Sequence, residues 1–204
     1  MLIIPEIETV VILVPRTGSG SLRRAVAETY PKSFLLYRHM EADGIPLGYD
    51  RWHRLGVVRD PVDRLWSLYC FLQTFGLNGK HDAVYAERMR NSVKRPFSDW
   101  IVNNEIPFST PYDSAGYNRY WPEFTCRHPI PENRKSQVIY LRPDLGTEVC
   151  QYSRLPDLFA RMRLPNDKRE NQAASVYEPP PELTDEARKH IERWFEWDHE
   201  VANW

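Results

Sequence analysis

A chain of 204 residues with 27 Lys and Arg against 28 Asp and Glu has a formal net charge of −1, so no bulk field draws it onto nucleic acid or an anionic membrane, and any anion site must be local. With 42% hydrophobic residues and mixed charge, the composition is that of one folded domain, expected to run over residues 1–204, rather than of a disordered chain. Cys70, Cys126 and Cys150 are widely spaced and form no Cys-x-x-Cys pair, which fits neither a disulfide framework nor a zinc knuckle.

The first apolar stretch, residues 1–14, is interrupted by Pro5, Glu6 and Glu8 and has neither a basic leading region nor a small-residue cleavage site. It reads as the lead-in to a strand over 9–14, whose unbroken β-branched and aliphatic residues suit a strand buried on both faces of a parallel sheet. A small-residue loop, Pro15-Arg16-Thr17-Gly18-Ser19-Gly20-Ser21, follows, and then Leu22, Ala25, Val26 and Thr29 recur at helical spacing. Residues 33–37 predict a second strand, and residues 55–58 a third. An amphipathic helix begins at Pro61, where proline's missing N–H is harmless, and is expected to stop at Gly76.

Short helices are expected around 83–93 and 97–104, inside a variable region, about 77–134, rich in Pro, Tyr and Asn. Residues 137–141 (QVIYL) predict a later strand, 145–152 a short helix, and Thr184 a cap on a final helix carrying Ala187, Ile191, Trp194, Phe195 and Val201 on one side. Strands alternating with helices imply an α/β fold, a central parallel sheet flanked by helices. No run reaches the roughly 18 apolar residues of a membrane helix. No membrane insertion and a cytoplasmic location are therefore expected.

The loop over 15–21 suits a phosphate-like anion. Between a buried strand and a helix, successive backbone N–H groups converge and the helix N-terminus adds favourable field. Gly18 and Gly20 permit close backbone approach, Ser19 and Ser21 add hydroxyl donors, and Arg16 adds a fixed positive charge. A plain capping turn, with Ser19 or Ser21 as the cap, is the alternative. The loop lacks the first glycine and the lysine of G-x-x-x-x-G-K-[ST], which disfavours an ATPase or GTPase.

A second motif, VVRDPVDRLWSLY over residues 57–69, ends a strand at Arg59 and carries Ser67 about two helical turns beyond Pro61, placing the pair to grip one phosphate. Together VPRTGSGSLRR and VVRDPVDRLWSLY resemble the two signatures of sulfotransferases that use 3′-phosphoadenosine 5′-phosphosulfate (PAPS), above all the carbohydrate-modifying kind. The tail, with LPNDKRENQAAS and WFEWDHEVANW, is similar to that family's closing segment.

The resemblance implies a P-loop-like fold and a 5′-phosphosulfate held by the first loop, that is by Arg16, Thr17, Gly18, Ser19, Gly20, Ser21 and Leu22. It also implies a 3′-phosphate held by Arg59 and Ser67, a hydroxyl or amine acceptor with carbohydrate favoured, and no metal. Many members have lysine where this chain has Arg16, which stays charged but cannot donate a proton to the leaving phosphate.

Transfer to an alcohol needs a base, and His39, just past the second predicted strand, resembles the histidine that serves in some carbohydrate sulfotransferases. Glu41 and Asp43 compete for that role on the same loop, whereas His53 precedes the third strand, at the wrong end for the cleft. Two other functions share these features. A kinase using ATP and magnesium would need an acidic ligand, for which Asp60 is the only candidate. A non-catalytic module would bind an adenosine bisphosphate or an anionic glycan.

Several positively charged or aromatic groups have duller explanations. Arg64 suits a salt bridge to Asp60 or Asp63, and Arg88, Arg90, Lys94 and Arg95 suit a solvated helix face. Lys168, Arg169 and Asn171 suit plain surface positions, while Tyr112, Tyr117, Tyr120 and Trp121 suit core packing as well as acceptor stacking.

Overall fold

In a computed structural model the described residues are 1–36, 39–79, 81–103, 106, 136–165 and 178–201. Five strands, β1 (Leu2–Ile4), β2 (Thr9–Ile12), β3 (Phe34–Leu35), β4 (His53–Val58) and β5 (Glu148–Gln151), join with helices α1 (Ser19–Thr29), α2 (Pro61–Gln73), α3 (Ala83–Ser92), α4 (Phe97–Val102), α5 (Val138–Leu141), α6 (Leu155–Arg161), α7 (Asp185–Trp194) and α8 (Glu196–Val201). No helix among the described residues is long and apolar enough to cross a membrane. The chain gathers into two compact units, Met1–Arg59 with Phe108–Glu170 and Phe195–Trp204, and Asp60–Pro107 with Asn171–Trp194.

The first unit is built on one sheet, in the order β3-β1-β2-β4-β5. Its class is α/β, as expected, but the sheet is mixed rather than parallel throughout. β1 pairs antiparallel with both β2 and β3, while β2, β4 and β5 run parallel. The interruption at Pro5, Glu6 and Glu8 explains the difference. It is a hairpin turn, a single turn of 3-10 helix over Pro5–Ile7 closed by Glu8 at φ 46°, so the sheet already contains Leu2 to Ile4.

Alternation along β2 sends its side chains to two cores. Val10, Ile12 and Val14 face Met40, Ala42 and Ile45 from the loop after β3, together with Ile139, Tyr140 and Leu141 of α5. Val11 and Leu13 face Leu22, Ala25 and Val26 of α1 and Leu158 and Phe159 of α6. Each fully buried aliphatic side chain contributes about 1.5–3 kcal/mol, and burial on both faces explains why β2 is apolar without interruption.

Two adjacent expectations are reversed. Residues 137–141 form no strand: Val138–Leu141 is the helical turn α5. Residues 145–152 form no helix: Glu148–Gln151 is β5, paired to β4 with Val57 opposite Cys150. A buried apolar run of four residues satisfies either conformation. Here the turn lies flat on the sheet, and Gly56 of β4 makes room for it, because a Cβ at that position would collide with Leu141.

The second unit is helical. Asp60 caps α2, its Oδ1 accepting from Val62 N at 2.9 Å and Asp63 N at 3.1 Å, and Pro61 opens the helix as expected. α2 ends at Gln73, three residues before Gly76. Trp66 and Tyr69 of α2 pack on Phe97 and Trp100 of α4, and Tyr69 Oη donates to Arg95 O at 2.6 Å. Thr184 does cap α7, its Oγ1 accepting from Ala187 N at 3.3 Å. The expected single closing helix is two, because α7 stops at Trp194 and α8 begins at Glu196.

Candidate functional site

In the first unit, the parallel strands β2, β4 and β5 deliver three segments to one end of the sheet: the loop over 13–18, Arg59, and Tyr152. In α/β sheets this carboxyl end is where ligands gather.

After β2 the chain turns sharply, with Arg16 at φ 69° and Gly18 at φ 79°. Thr17 is buried, and its Oγ1 donates to Val14 O at 3.1 Å, tying the loop to the strand it leaves. Gly18 is the N-cap of α1 and brings no side chain to cap it, so the N-cap position falls to neither Ser19 nor Ser21. Both lie with Gly20 in the half-buried first turn, and Arg16 is likewise half-buried. Leu22 supports the turn from within, since its N–H donates to Gly18 O at 3.1 Å and its side chain sits in the core.

Gly18 is required for a second reason besides its dihedral. A Cβ there would stand 2.9 Å from Tyr152 Cε2 and 3.2 Å from Leu155 Cδ2. Tyr152 follows β5 directly, and over its ring lies the Arg59 guanidinium, with Cζ 4.8 Å from the centroid, a cation–π contact. One aromatic ring therefore carries the loop backbone at Gly18 and the positive charge at the end of β4.

Arg59 is fixed at its main chain as well. Its N–H donates to Gln137 Oε1 at 2.8 Å and its carbonyl accepts from Gln137 Nε2 at 2.7 Å. Its Nε is buried with no hydrogen-bond acceptor among the described residues. A buried charged donor in that condition is expensive unless an anion meets it.

His39 stands beside the same loop, its Nδ1 2.8 Å from Leu13 O. A carbonyl only accepts, so Nδ1 carries the hydrogen and Nε2 is the basic nitrogen of the neutral ring. The competing carboxylates differ in access: Glu41 and Asp43 are 0% and 1% exposed, whereas His39 is half-buried.

His53, as expected, is at the far end of β4 from Arg59. Its Nε2 is 2.9 Å from Glu148 Oε2, and Glu148 accepts from Arg161 at 2.6 Å. Burial pushes the Glu148 carboxyl up, but hydrogen bonds from Arg161, Cys150 and His53 outweigh it and leave the group below its ordinary value. Burial, then Glu148, pushes the Cys150 thiol up, the opposite of an activated nucleophile.

The other predicted residues belong to the second unit or lie outside the described residues. Ser67 is buried on α2 in the second unit. Arg64, expected to pair with Asp60 or Asp63, is fully buried, and the Asp60 carboxylate is engaged as the cap of α2. Of the basic cluster, Arg90 donates to Phe75 O at 2.5 Å. Tyr112, Tyr117, Tyr120, Trp121, Cys126, Lys168, Arg169 and Asn171 lie outside the described residues.

Tyr152, Gln137 and Asp198 are the members of the site that the sequence reading missed. Tyr152 was hidden by the helix expected over 145–152, and Gln137 by the strand expected over 137–141. Asp198 is far away in the chain, with no local signal beyond a carboxylate in an otherwise amphipathic helix.

Comparison with family models, with curated proteins and with solved structures finds no match to this chain.

Proposed function

We propose that this chain transfers a sulfuryl group from PAPS to a hydroxyl or amine of an acceptor, with a carbohydrate hydroxyl favoured by the resemblance of its motifs. The observation that carries the reading is the stack of Gly18, Tyr152 and Arg59 beside a helix N-terminus that opens on glycine, with the buried Arg59 Nε lacking an acceptor among the described residues. Such a place suits an anion bearing phosphate groups.

PAPS supplies the activated sulfuryl group. The chain's part is to bind, orient and move one proton. The N-terminal turn of α1 and Arg16 hold the 5′ end and stabilise the charge left on the phosphate oxygen as its bond to sulfur breaks. Arg59 holds the 3′-phosphate. His39 Nε2 takes the acceptor's proton as the new bond from the acceptor atom to sulfur forms, and Leu13 O stabilises the imidazolium through Nδ1–H.

A kinase would route magnesium through Asp60, but Oδ1 of that carboxylate holds two N–H groups of α2. Sulfuryl transfer makes no such demand on it.

The test is isothermal titration of 3′-phosphoadenosine 5′-phosphate, the desulfated product, into wild type and Arg59→Ala, with ATP as control. The expected result is binding that prefers the 3′-phosphate and weakens at least tenfold in the variant, about what one charge-assisted contact is worth. A preference for ATP, or no binding, overturns the reading. With binding established, an acceptor screen by product mass spectrometry would include His39→Ala, whose turnover should fall while nucleotide affinity stays.

A further inference from the structure

Beyond Val58 the β4–β5 ladder ends, and the main-chain N–H and C=O of Arg59 are both taken by one side chain, Gln137. A primary amide offers a neutral donor and acceptor side by side for this purpose. The orientation of that amide is determined by its surroundings. Nε2 also donates to Asp198 Oδ2 at 2.9 Å, so both of its hydrogens are used, and Oε1 is left to face the Arg59 N–H.

Asp198 of α8 is fully buried. Besides Gln137 Nε2 it accepts from Gln137 N at 2.8 Å and Val138 N at 3.1 Å, and from the Ser136 hydroxyl. One carboxylate thus holds Gln137 at its main chain and at its side chain. These contacts join positions 61 and 78 residues apart in sequence and all belong to the first unit.

We infer that Gln137, locked by Asp198, is a positioning residue that sets the main chain of Arg59 and so aims its guanidinium across Tyr152 at the bound phosphate. The inference rests on the assignment of Arg59 to the 3′-phosphate. Gln137 extends β4 by one further pair of hydrogen bonds at the point where the chain must leave the sheet without a neighbouring strand. Without that pair, Arg59 keeps its charge but loses its direction.

The test compares 3′-phosphoadenosine 5′-phosphate with 5′-AMP, which lacks the 3′-phosphate, by calorimetry on wild type, Gln137→Glu, Arg59→Ala and the double variant. Glutamate keeps the shape but turns an acceptor toward the Arg59 carbonyl. Affinity for the bisphosphate should fall about 10–100-fold, the worth of a hydrogen bond to a charged group. Affinity for 5′-AMP should stay within about twofold, and Gln137→Glu should add nothing once Arg59 is gone. An equal loss for both ligands, or full additivity, overturns the positioning role.

If wild type shows no preference for the 3′-phosphate, the sulfotransferase reading falls and takes this inference with it. If wild type and Arg59→Ala behave as expected but Gln137→Glu binds like wild type, only the inference falls. A measurement on the unaltered protein covers a variant that does not fold: the Arg59 amide should exchange with solvent at least about 100-fold more slowly than an open amide. Exchange at the open rate overturns the inference.

Discussion

Replacing Gly18 by alanine separates two demands that meet at one atom. The first is conformational: at φ 79° a side chain costs about 1–2 kcal/mol. The second is steric, since the new Cβ would sit 2.9 Å from Tyr152 Cε2, an atom of a rigid ring, and 3.2 Å from the more yielding Leu155 Cδ2. Overpacking of this kind costs about 1–3 kcal/mol, so Gly18→Ala should destabilise the fold by roughly 2–5 kcal/mol in total.

Tyr152→Ala removes the ring and most of the second demand while leaving the first. By itself it forfeits the contact with Arg59, worth about 0.5–1 kcal/mol at an exposed site. In that background Gly18→Ala should cost only the dihedral part and the Leu155 contact, giving a coupling of about 1–3 kcal/mol between the two sites. Urea denaturation of the four proteins measures it, read at constant m so that changes in midpoint report stability. An equal penalty for Gly18→Ala in both backgrounds would refute the claim that the loop backbone rests on Tyr152.

Two further outcomes follow from local geometry. Arg16 lies at φ 69°, a strain of about 1–2 kcal/mol that glycine would relieve, offset by about 0.5–1 kcal/mol of extra chain entropy. Arg16→Gly should therefore unfold within about 1 kcal/mol of wild type or above it, while bisphosphate affinity falls at least tenfold; a large loss of stability instead would make Arg16 a structural residue. Glu148 is held below its ordinary carboxyl value of 4.5. Its contribution is thus complete above that pH and is lost as pH falls through the depressed value. Because the group is a third exposed, wild type should exceed Glu148→Gln by under about 1 kcal/mol near neutrality, and the advantage should shrink as the pH falls below the ordinary carboxyl value. An advantage that persists in acid refutes the ion-pair account.

What the sequence made legible was local. The loop over 15–21 and Arg59 are recognisable because their residue types stand in order on a single turn, and strand, loop and helix follow one another without help from distant segments. The caps of α2 and α7 are legible for the same reason, as Asp60 and Thr184 each act on N–H groups two or three residues ahead. β1 was obscured because Pro5 looks like an interruption until the hairpin partner is known. The exchange of strand and helix over 137–152 has a similar cause. Val138–Leu141 is apolar enough for a central strand, yet it packs as a turn against the bare face of Gly56, while β5 is half-buried at the sheet edge and tolerates Glu148 and Gln151.

Those two misread segments hold the residues that orient Arg59. The resemblance of VVRDPVDRLWSLY suggests the arginine but says nothing of what holds it in place, because neither the ring beneath it nor the amide behind it is a neighbour in the chain. A guanidinium at a strand end binds little while it can swing. Laid on Tyr152, with its main chain gripped by Gln137 and Gln137 gripped by Asp198, it has lost most of that freedom before a ligand arrives, so less of the binding free energy is spent on ordering it. The strength of the site should therefore depend on long-range contacts as much as on the motif, and motif-preserving changes at Tyr152 or Gln137 should weaken phosphate binding without touching a motif residue.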